Sequence, residues 1–141
     1  MKQLCCFFLK REPDRKAEMS IKGKAYIAGA FEHPTRLADD KSIALLHAES
    51  ARGALEDAGL SFKDVDGYFC AGDAPGMGGV DMIDYMGIRP RHMDSTETGG
   101  SSYVVHLPPA AEAIAAGERD VALITLAGRP RAEGRGAGSR I

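Results

Sequence analysis

The sequence predicts an α/β protein in which a mostly parallel sheet carries helices on both faces. Segments of strand and helix character alternate in the order strand, helix, strand, short helix, strand, helix, strand, which is typical of parallel strands joined by crossover helices. Residues 120–127 form a largely apolar run, as in a strand buried on both faces. Residues 40–58 place alanines along one side of a helix, which favours close packing against a sheet.

The composition is that of one globular domain. The chain has 141 residues, of which 44% are hydrophobic and 27% are charged, so a packed core is expected. A net charge of −2 and the absence of Trp disfavour a nucleic-acid-binding surface. The three cysteines form no CxxC pair and the four histidines are scattered, so we predict neither a disulfide framework nor a metal site. A reducing, cytoplasmic setting is therefore expected.

The two ends of the chain differ in character from its centre. Residues 4–9 form an apolar run that is followed by charged residues, and the run is too short to span a bilayer or to serve as a usual signal peptide. We predict that residues 1–20 are a disordered extension and that Met19 is the natural start. Residues 21–132 are expected to form the domain, and the glycine- and arginine-rich residues 133–141 a disordered tail.

The first strand is predicted over residues 24–31, which are short and apolar. The helix of residues 40–58 follows, and either Asp39 or Asp40 can accept hydrogen bonds from its unpaired amino-terminal N–H groups. The apolar face of this helix consists of residues at three- and four-residue steps, namely Ala44, Ala48, Ala51, Leu55 and Ala58.

The end of this helix is marked by Gly59. Leu60 follows and is expected to touch Leu55, as in a Schellman stop. His47 lies inside the helix and has no partner at a suggestive spacing, so we interpret it as a structural or surface residue.

A second strand is predicted over residues 65–70, and a glycine-rich loop follows over residues 71–79. The loop matches neither a Walker loop nor the full GxGxxG fingerprint, so we interpret it as a flexible loop over a pocket. Cys70 at the strand end is interpreted as a small buried hydrophobic residue. A short helix is predicted over residues 81–86, with its apolar side chains in the core.

The corner at residues 94–102 joins a short strand, residues 91–94, to a helix predicted over residues 101–116. Its glycines allow a tight turn, and the unpaired N–H groups of the helix start suit a nucleophile, an oxyanion or a phosphate. The structural alternative is that Ser101 or Ser102 only caps the helix. Because ligands bind beyond the carboxyl ends of parallel strands, the corner is the candidate functional site.

Two prolines complicate the helix after the corner. Pro108 and Pro109 lack the N–H donors of an uninterrupted helix and would break its first turns. Either the helix begins near Pro108, or the sequence carries an error at these positions.

Several segments together resemble the amino-terminal half of the thiolase superfamily. They are residues 24–31, 42–60, 64–67, 99–102, 113–117 and 120–124, and the resemblance extends over residues 22–132. The most similar branch is that of the thiolase-like lipid-transfer proteins, the sterol-carrier-protein type of acetyl-CoA acetyltransferase homologue. The resemblance implies one half of a five-layered αβαβα fold and a homodimer or a thiolase-like partner subunit. It also implies an acyl-CoA or lipid ligand, with the coenzyme A thioester as substrate and no separate cofactor.

The resemblance also implies roles for the corner. In true thiolases a nucleophilic cysteine stands just before a Gly-Ser pair, and alignment on Gly100 and Ser101 places Glu97 at its position. A shift of one residue offers Thr96 or Thr98, and still no cysteine. Glu97 could act as a base or favour the helix end. The residues expected to bind substrate are Thr98, Gly99, Gly100 and Ser101.

Two functions remain open from the sequence. The first is a thiolase-like acyl-CoA acyltransferase or lipid-transfer protein, which forms or cleaves a carbon–carbon bond beside a thioester. We expect it to be inactive as this fragment, because the catalytic histidine and second cysteine of the family lie in its carboxy-terminal half. The second is a non-catalytic acyl-CoA- or lipid-binding module or partner subunit, which the missing corner cysteine favours. An unrelated small α/β domain is the third alternative.

Overall fold

The computed structural model describes residues 5–11, as backbone, and residues 21–133. Its strands are β1 (Cys5–Arg11), β2 (Ala25–Glu32), β3 (Gly67–Gly72), β4 (His92–Ser95) and β5 (Val121–Ala127). Its helices are α1 (Ile43–Asp57), α2 (Gly79–Met86), α3 (Ser102–Val105) and α4 (Leu107–Ala115), and a 3-10 turn spans Phe62–Asp64. Within this described part, none of the helices has the length and apolar character needed to cross a bilayer.

The five strands form one sheet in the order β2-β1-β5-β3-β4. Strand β3 pairs in parallel with both β4 and β5. Strand β1 pairs antiparallel with both β2 and β5, so β2 points the same way as the other three strands. The predicted mostly parallel α/β sheet is therefore confirmed, with one antiparallel strand, β1, second from its edge.

That antiparallel strand corrects one expectation from the sequence. We predicted that residues 1–20 form a disordered extension, but Cys5–Arg11 pairs along its length with β2 and along part of its length with β5. The seven residues of β1 are too few to cross a bilayer but have a usual length for a strand. Pairing on both sides satisfies the backbone groups of β1. Residues 1–4 and 12–20, and the predicted tail from residue 134 onward, lie outside the described residues.

Helices cover both faces of the sheet, as predicted. On one face α1 and α2 pack against Tyr68, Cys70 and Leu123. On the other face Ala110 and Ile114 of α4 pack against residues of β3 and β5, namely Phe69, Ala122 and Ile124. Neighbouring residues of a strand thus point into different cores, which is the expected alternation.

Of the two predicted ends of α1, only the carboxyl-terminal one agrees with the structure. Its amino terminus is capped by Ser42, whose Oγ accepts the N–H of Leu45 at 3.1 Å, and not by Asp39 or Asp40, which lie in the preceding turn. At the other end Gly59 adopts a positive φ of 70°, and the N–H of Leu60 donates to the carbonyl of Leu55 at 2.8 Å. The predicted Schellman stop is therefore confirmed.

The single helix predicted over residues 101–116 is wrong. It is divided into α3 and α4 at His106. Pro108 and Pro109 have no N–H to donate to the carbonyl groups four residues earlier, so an unbroken helix would leave those groups unpaired. Both prolines instead lie in the first turn of α4, where the missing donors are tolerated. The alternative that the helix begins near Pro108 is the one that the structure adopts.

Candidate functional site at the carboxyl ends of the strands

The corner and the glycine-rich loop meet at one edge of the sheet. Cys70 of β3 is paired in parallel with Ser95 of β4, so the segments that follow these strands leave the sheet on the same side. A Cβ atom added at Gly78 would lie 3.9 Å from Ser95 Oγ, which shows how close the two segments run. This is the edge at which parallel sheets bind ligands, as the sequence predicted for both segments.

The corner is closed around the buried hydroxyl of Ser102. Ser102 Oγ accepts the N–H of Thr98 at 2.7 Å and donates to the carbonyl oxygen of Gly99 at 2.6 Å. Gly99 has a positive φ of 84°, a conformation that glycine adopts without strain. Ser102 therefore holds the turn together and is not an exposed nucleophile.

Glu97 takes part in the same turn. Its Oε1 accepts the N–H of Gly99 at 2.8 Å and lies 3.4 Å from Ser102 Oγ. The carboxylate is exposed, so it can also be reached from solvent. The role of Glu97 as a catalytic group remains a prediction, and its contacts are those of a residue that stabilises the turn.

The predicted substrate-binding residues are available to a ligand. Thr98, Gly99, Gly100 and Ser101 are all exposed. The predicted capping role does not fall to Ser101, whose side chain makes no capping hydrogen bond. Among the described residues, the N–H groups of Gly100 and Ser101 have no acceptor in the corner. Two neighbouring donors on an exposed turn can hold a carbonyl oxygen or an oxyanion.

Cys70 is the cysteine whose side chain the structure describes, and its environment makes the thiol inert. Its side chain is fully buried in the core on the α1 side of the sheet. Burial raises the pKa of the thiol, hydrogen bonds with Tyr68 and Thr125 partly oppose this, and the charge of Glu97 raises the pKa further. The thiol therefore stays protonated, in agreement with the predicted role of a small buried residue.

A buried polar network surrounds His47, and it was not predicted from the sequence. His47 Nδ1 lies 2.9 Å from Thr125 Oγ1, and His47 Nε2 lies 2.9 Å from the carbonyl oxygen of Asp73. A carbonyl only accepts, so Nε2 carries the proton and Nδ1 accepts from Thr125. The hydroxyl of Tyr68, 2.9 Å from Thr125 Oγ1, then donates to Thr125. Each member of the network is thereby satisfied.

This network anchors the glycine-rich loop. Burial lowers the pKa of His47 to about 4, so its ring is neutral at physiological pH and keeps the assigned tautomer. The carbonyl it holds belongs to Asp73, whose own N–H donates to the carbonyl of Ala127 at 2.9 Å. The prediction that His47 is structural is confirmed, and the first part of the loop is fixed from both sides.

His106 is a second buried histidine that the sequence did not single out. It lies at the junction of α3 and α4, on the opposite face of the sheet from His47. Its ring centroid is 5.4 Å from that of Phe69, and its Nε2 has no hydrogen-bond partner among the described residues. Burial lowers the pKa of His106, whereas Asp94 and the backbone of Cys70 and Thr96 act in the opposite sense.

One groove lies away from the corner. It has a volume of about 500 Å³ and is lined by Ile83, Asp84, Gly87, Ile88, Arg89 and Pro90. These residues end α2 and lead into β4, so the groove is at the amino-terminal edge of the parallel strands. Within the described part of the chain, no cluster of metal-ligating side chains is present.

Solved structures match part of the chain. The 3-oxoacyl-[acyl-carrier-protein] synthase III of Aquifex aeolicus VF5 matches with a TM-score of 0.60 and 18% identity, over 67% of this chain and 32% of that protein. The Ltp2-ChsH2(DUF35) aldolase matches with a TM-score of 0.57 and 27% identity, over 64% and 24% of the two chains. A variant of Xanthomonas campestris OleA matches with a TM-score of 0.57 and 20% identity, over 64% and 29%.

Another structure of Xanthomonas campestris OleA, with bound lauric acid and lauroyl-CoA, matches with a TM-score of 0.51 and 17% identity, over 73% of this chain and 30% of that protein. No protein-family profile and no curated protein matches the sequence. The matched proteins are thiolase-like, and this chain has a thiolase-like α/β fold. It spans 24% of the length of the aldolase chain and 32% of that of the synthase.

Proposed function

We propose that this chain is part of a thiolase-like acyltransferase, which forms or cleaves a carbon–carbon bond beside a coenzyme A thioester. The observation that supports this most is the exposed corner at the carboxyl end of β4, in a sheet whose solved relatives are thiolase-like. The free N–H groups of Gly100 and Ser101 can donate to the carbonyl oxygen of a thioester. That oxygen becomes more negative when the thioester is converted into its enolate.

The absence of a thiol at the corner favours an aldolase-type reaction over thiolysis. Thiolysis of the usual kind needs a sulfur nucleophile, and the buried thiol of Cys70 is protonated and inaccessible. A retro-aldol cleavage needs a base instead. The base removes the hydroxyl proton of a 3-hydroxyacyl thioester, the bond between the second and third carbons breaks, and its electron pair forms the thioester enolate. Glu97 is an exposed carboxylate of the corner that can take this proton.

A non-catalytic role is the second candidate, and one observation favours it. The carboxylate of Glu97 already accepts the N–H of Gly99 within its own turn, which is a structural use of the side chain. The chain would then bind an acyl-CoA or a lipid, or serve as a partner subunit of a thiolase-like complex. The matched Ltp2-ChsH2(DUF35) aldolase is, by its name, such a two-component assembly.

We also propose that a second copy of this chain binds along β4. Among the described strands β4 has a neighbour on one side only, so its outer backbone groups are open for pairing. Exposed apolar side chains lie beside it, including Met77 at 78% exposure, Tyr85 at 53% and Met93 at 37%. Antiparallel pairing of β4 with β4 about a twofold axis would satisfy both edges at once.

The experiment is a titration of the isotope-labelled chain with acetyl-CoA and lauroyl-CoA, followed by amide NMR. We expect the amide signals of Thr98, Gly99, Gly100 and Ser101 to shift with either thioester and to shift less with free coenzyme A. The matched control is Gly100→Val, because a side chain at Gly100 meets no atom within 4 Å and would block the corner without disturbing the fold. Thioester-induced shifts confined to other regions would contradict the proposed site.

Activity separates the two candidates. For this chain alone we expect no thiolysis of acetoacetyl-CoA. A retro-aldol cleavage of a 3-hydroxyacyl-CoA that is lost in Glu97→Gln, with thioester binding retained, would support the catalytic role. Thioester binding with no cleavage by the chain, alone or together with a DUF35-type partner, would support the non-catalytic one.

A further inference from the structure

The outer edge of β4 offers the backbone groups of alternate residues. The N–H of Arg91 donates to the carbonyl of Asp66 at 2.8 Å, on the β3 side of the chain. Successive residues of a strand direct their backbone groups to alternate sides, so those of Met93 also point toward β3. The backbone groups of His92 and Asp94 therefore point away from the sheet and are available to a second strand.

Twofold symmetry limits the ways in which β4 can pair with a second β4. Residues that lie directly opposite each other in a sheet point to the same face, whereas neighbours along a strand point to opposite faces. A twofold axis between two residues would place side chains of opposite faces against each other. One residue of β4 must therefore lie on the axis, opposite the same residue of the partner, and β4 offers the four residues His92–Ser95.

The chemistry of the strand favours Met93 on the axis. His92 then faces the partner's Asp94, and Asp94 faces the partner's His92, so the outward backbone groups of β4 are paired. With Asp94 on the axis, like charges would lie directly opposite each other, which is destabilising. With either end of β4 on the axis, the pairing would extend to Pro90, which has no N–H to donate, or into the corner, which is not a strand.

Met93 can pack against itself on the axis. It lies on the face of the sheet that α2 covers, because a Cβ atom added at Gly79 would lie 3.0 Å from Met93 Sδ. Its own groups point toward β3, so it would form a non-hydrogen-bonded pair with its copy, the type in which side chains are closer. Two half-exposed methionine side chains would thereby bury apolar surface against each other.

The opposite face of β4 carries complementary side chains. The ring of His92 packs on Phe69, with ring centroids 5.3 Å apart, and Asp94 follows on the same face by alternation. Asp94 Oδ1 accepts the N–H of Ser95 at 2.7 Å, and Oδ2 can accept a further donor. A histidine ring carries an N–H whether it is neutral or charged, so the partner's His92 can supply that donor.

We propose that two copies of β4 pair antiparallel with Met93 on the twofold axis, so that His92 of each copy binds Asp94 of the other. This inference rests on the second copy proposed above and specifies its register. Thr96, which opens the corner, follows Asp94 by two residues. The partner's His92 therefore lies beside the strand end from which the corner starts.

Single cysteines at neighbouring positions test the register, in a chain that carries Cys5→Ser and Cys6→Ser. We expect Met93→Cys to form an intermolecular disulfide on mild oxidation, because opposite residues in such a pair have Cα atoms about 4.5 Å apart. Ser95→Cys is the matched control on the same face, and its two copies would be about 13 Å apart along the strands. Asp94→Cys reports the alternative register. Electrophoresis without reductant measures the cross-linked fraction.

An exchange of charges tests the pair between copies. His92→Asp places two carboxylates opposite each other and should raise the dissociation constant of the dimer roughly tenfold. His92→Asp combined with Asp94→His restores an acid opposite a histidine, and should recover most of that loss. Analytical ultracentrifugation measures the three dissociation constants.

The outcomes separate the register from the dimer itself. An unaltered chain that stays monomeric overturns both. A dimer that cross-links through Asp94→Cys or Ser95→Cys in preference to Met93→Cys overturns the register alone, as does a combined variant that binds no better than His92→Asp. None of these results bears on thioester binding at the corner, which the amide NMR titration tests separately.

Discussion

Two buried histidines on opposite faces of one sheet have very different surroundings. His47 has a partner on each ring nitrogen, whereas His106 has none on Nε2. Both stand beneath a segment that leaves the carboxyl end of a strand, the loop that includes Asp73 in one case and the corner that includes Thr96 in the other. The difference indicates that the loop is held by a histidine with both ring nitrogens paired, whereas the corner is held by its own hydrogen bonds through Ser102 and covers a histidine with one unpaired nitrogen.

The largest effect is expected from His47→Phe. The substitution removes the donor to the carbonyl of Asp73 and the acceptor of the Thr125 hydroxyl inside the core, and should lower the free energy of unfolding by about 3 kcal/mol. Urea denaturation followed by circular dichroism measures this change. A loss below about 0.5 kcal/mol would mean that the network contributes no more than ordinary packing.

A smaller effect is expected from acid. Unfolded histidine has a pKa near 6.5, whereas burial holds that of His47 at about 4. Between these values the unfolded chain binds the proton and the folded chain does not, so stability falls as pH falls. His47 alone should account for about 2 kcal/mol between pH 7 and pH 5. The pH dependence of the urea midpoint tests this, and His47→Phe should show a shallower slope than the unaltered chain.

His106→Phe should cost much less than the same substitution at His47. Hydrogen bonds of the ring with the backbone of Cys70 and Thr96 are lost, but none to Nε2 is, and the new ring still packs on Phe69, so the change in unfolding free energy should be about 1 kcal/mol. The same urea measurement applies, with His47→Phe as the matched variant. Equal losses at the two positions would remove the distinction between the histidines.

The smallest effect on stability is expected from Pro108→Ala combined with Pro109→Ala. Both new N–H groups can donate to carbonyl groups of α3, so α3 and α4 should approach one continuous helix, with a net change within about 1 kcal/mol. Far-UV circular dichroism should show more helix. The ring of His106 should move out of its site and its pKa should rise toward the ordinary value, while that of His47 stays low. An unchanged His106 titration would show that the prolines do not position the ring.

The features that the sequence predicted are those encoded over short distances. The stop of α1 is encoded by Gly59 and Leu60, together with Leu55 one turn earlier. The apolar residues of β5 indicate a strand buried on both faces, and its burial agrees. The division between α3 and α4 was marked by the prolines, although helical periodicity alone favoured one longer helix.

The features that the sequence did not predict depend on distant partners. His47 and Thr125 are 78 residues apart, and no spacing connects them. The burial of His106 depends on Phe69, which lies on another strand. The sequence predicted that the corner lies at the carboxyl ends of the strands, but it did not predict that the Glu97 carboxylate accepts a hydrogen bond within its own turn.

The position of β1 has a consequence for the translation start. Strand β2 has β1 as its only described neighbour in the sheet, and the remaining support of β2 comes from packing against α1. A polypeptide initiated at Met19 would lack β1, and the gap would leave unpaired backbone on β2 and β5 at the same time. Such a shortened product should self-associate through these bare edges, so the choice of initiator methionine determines whether the sheet is continuous.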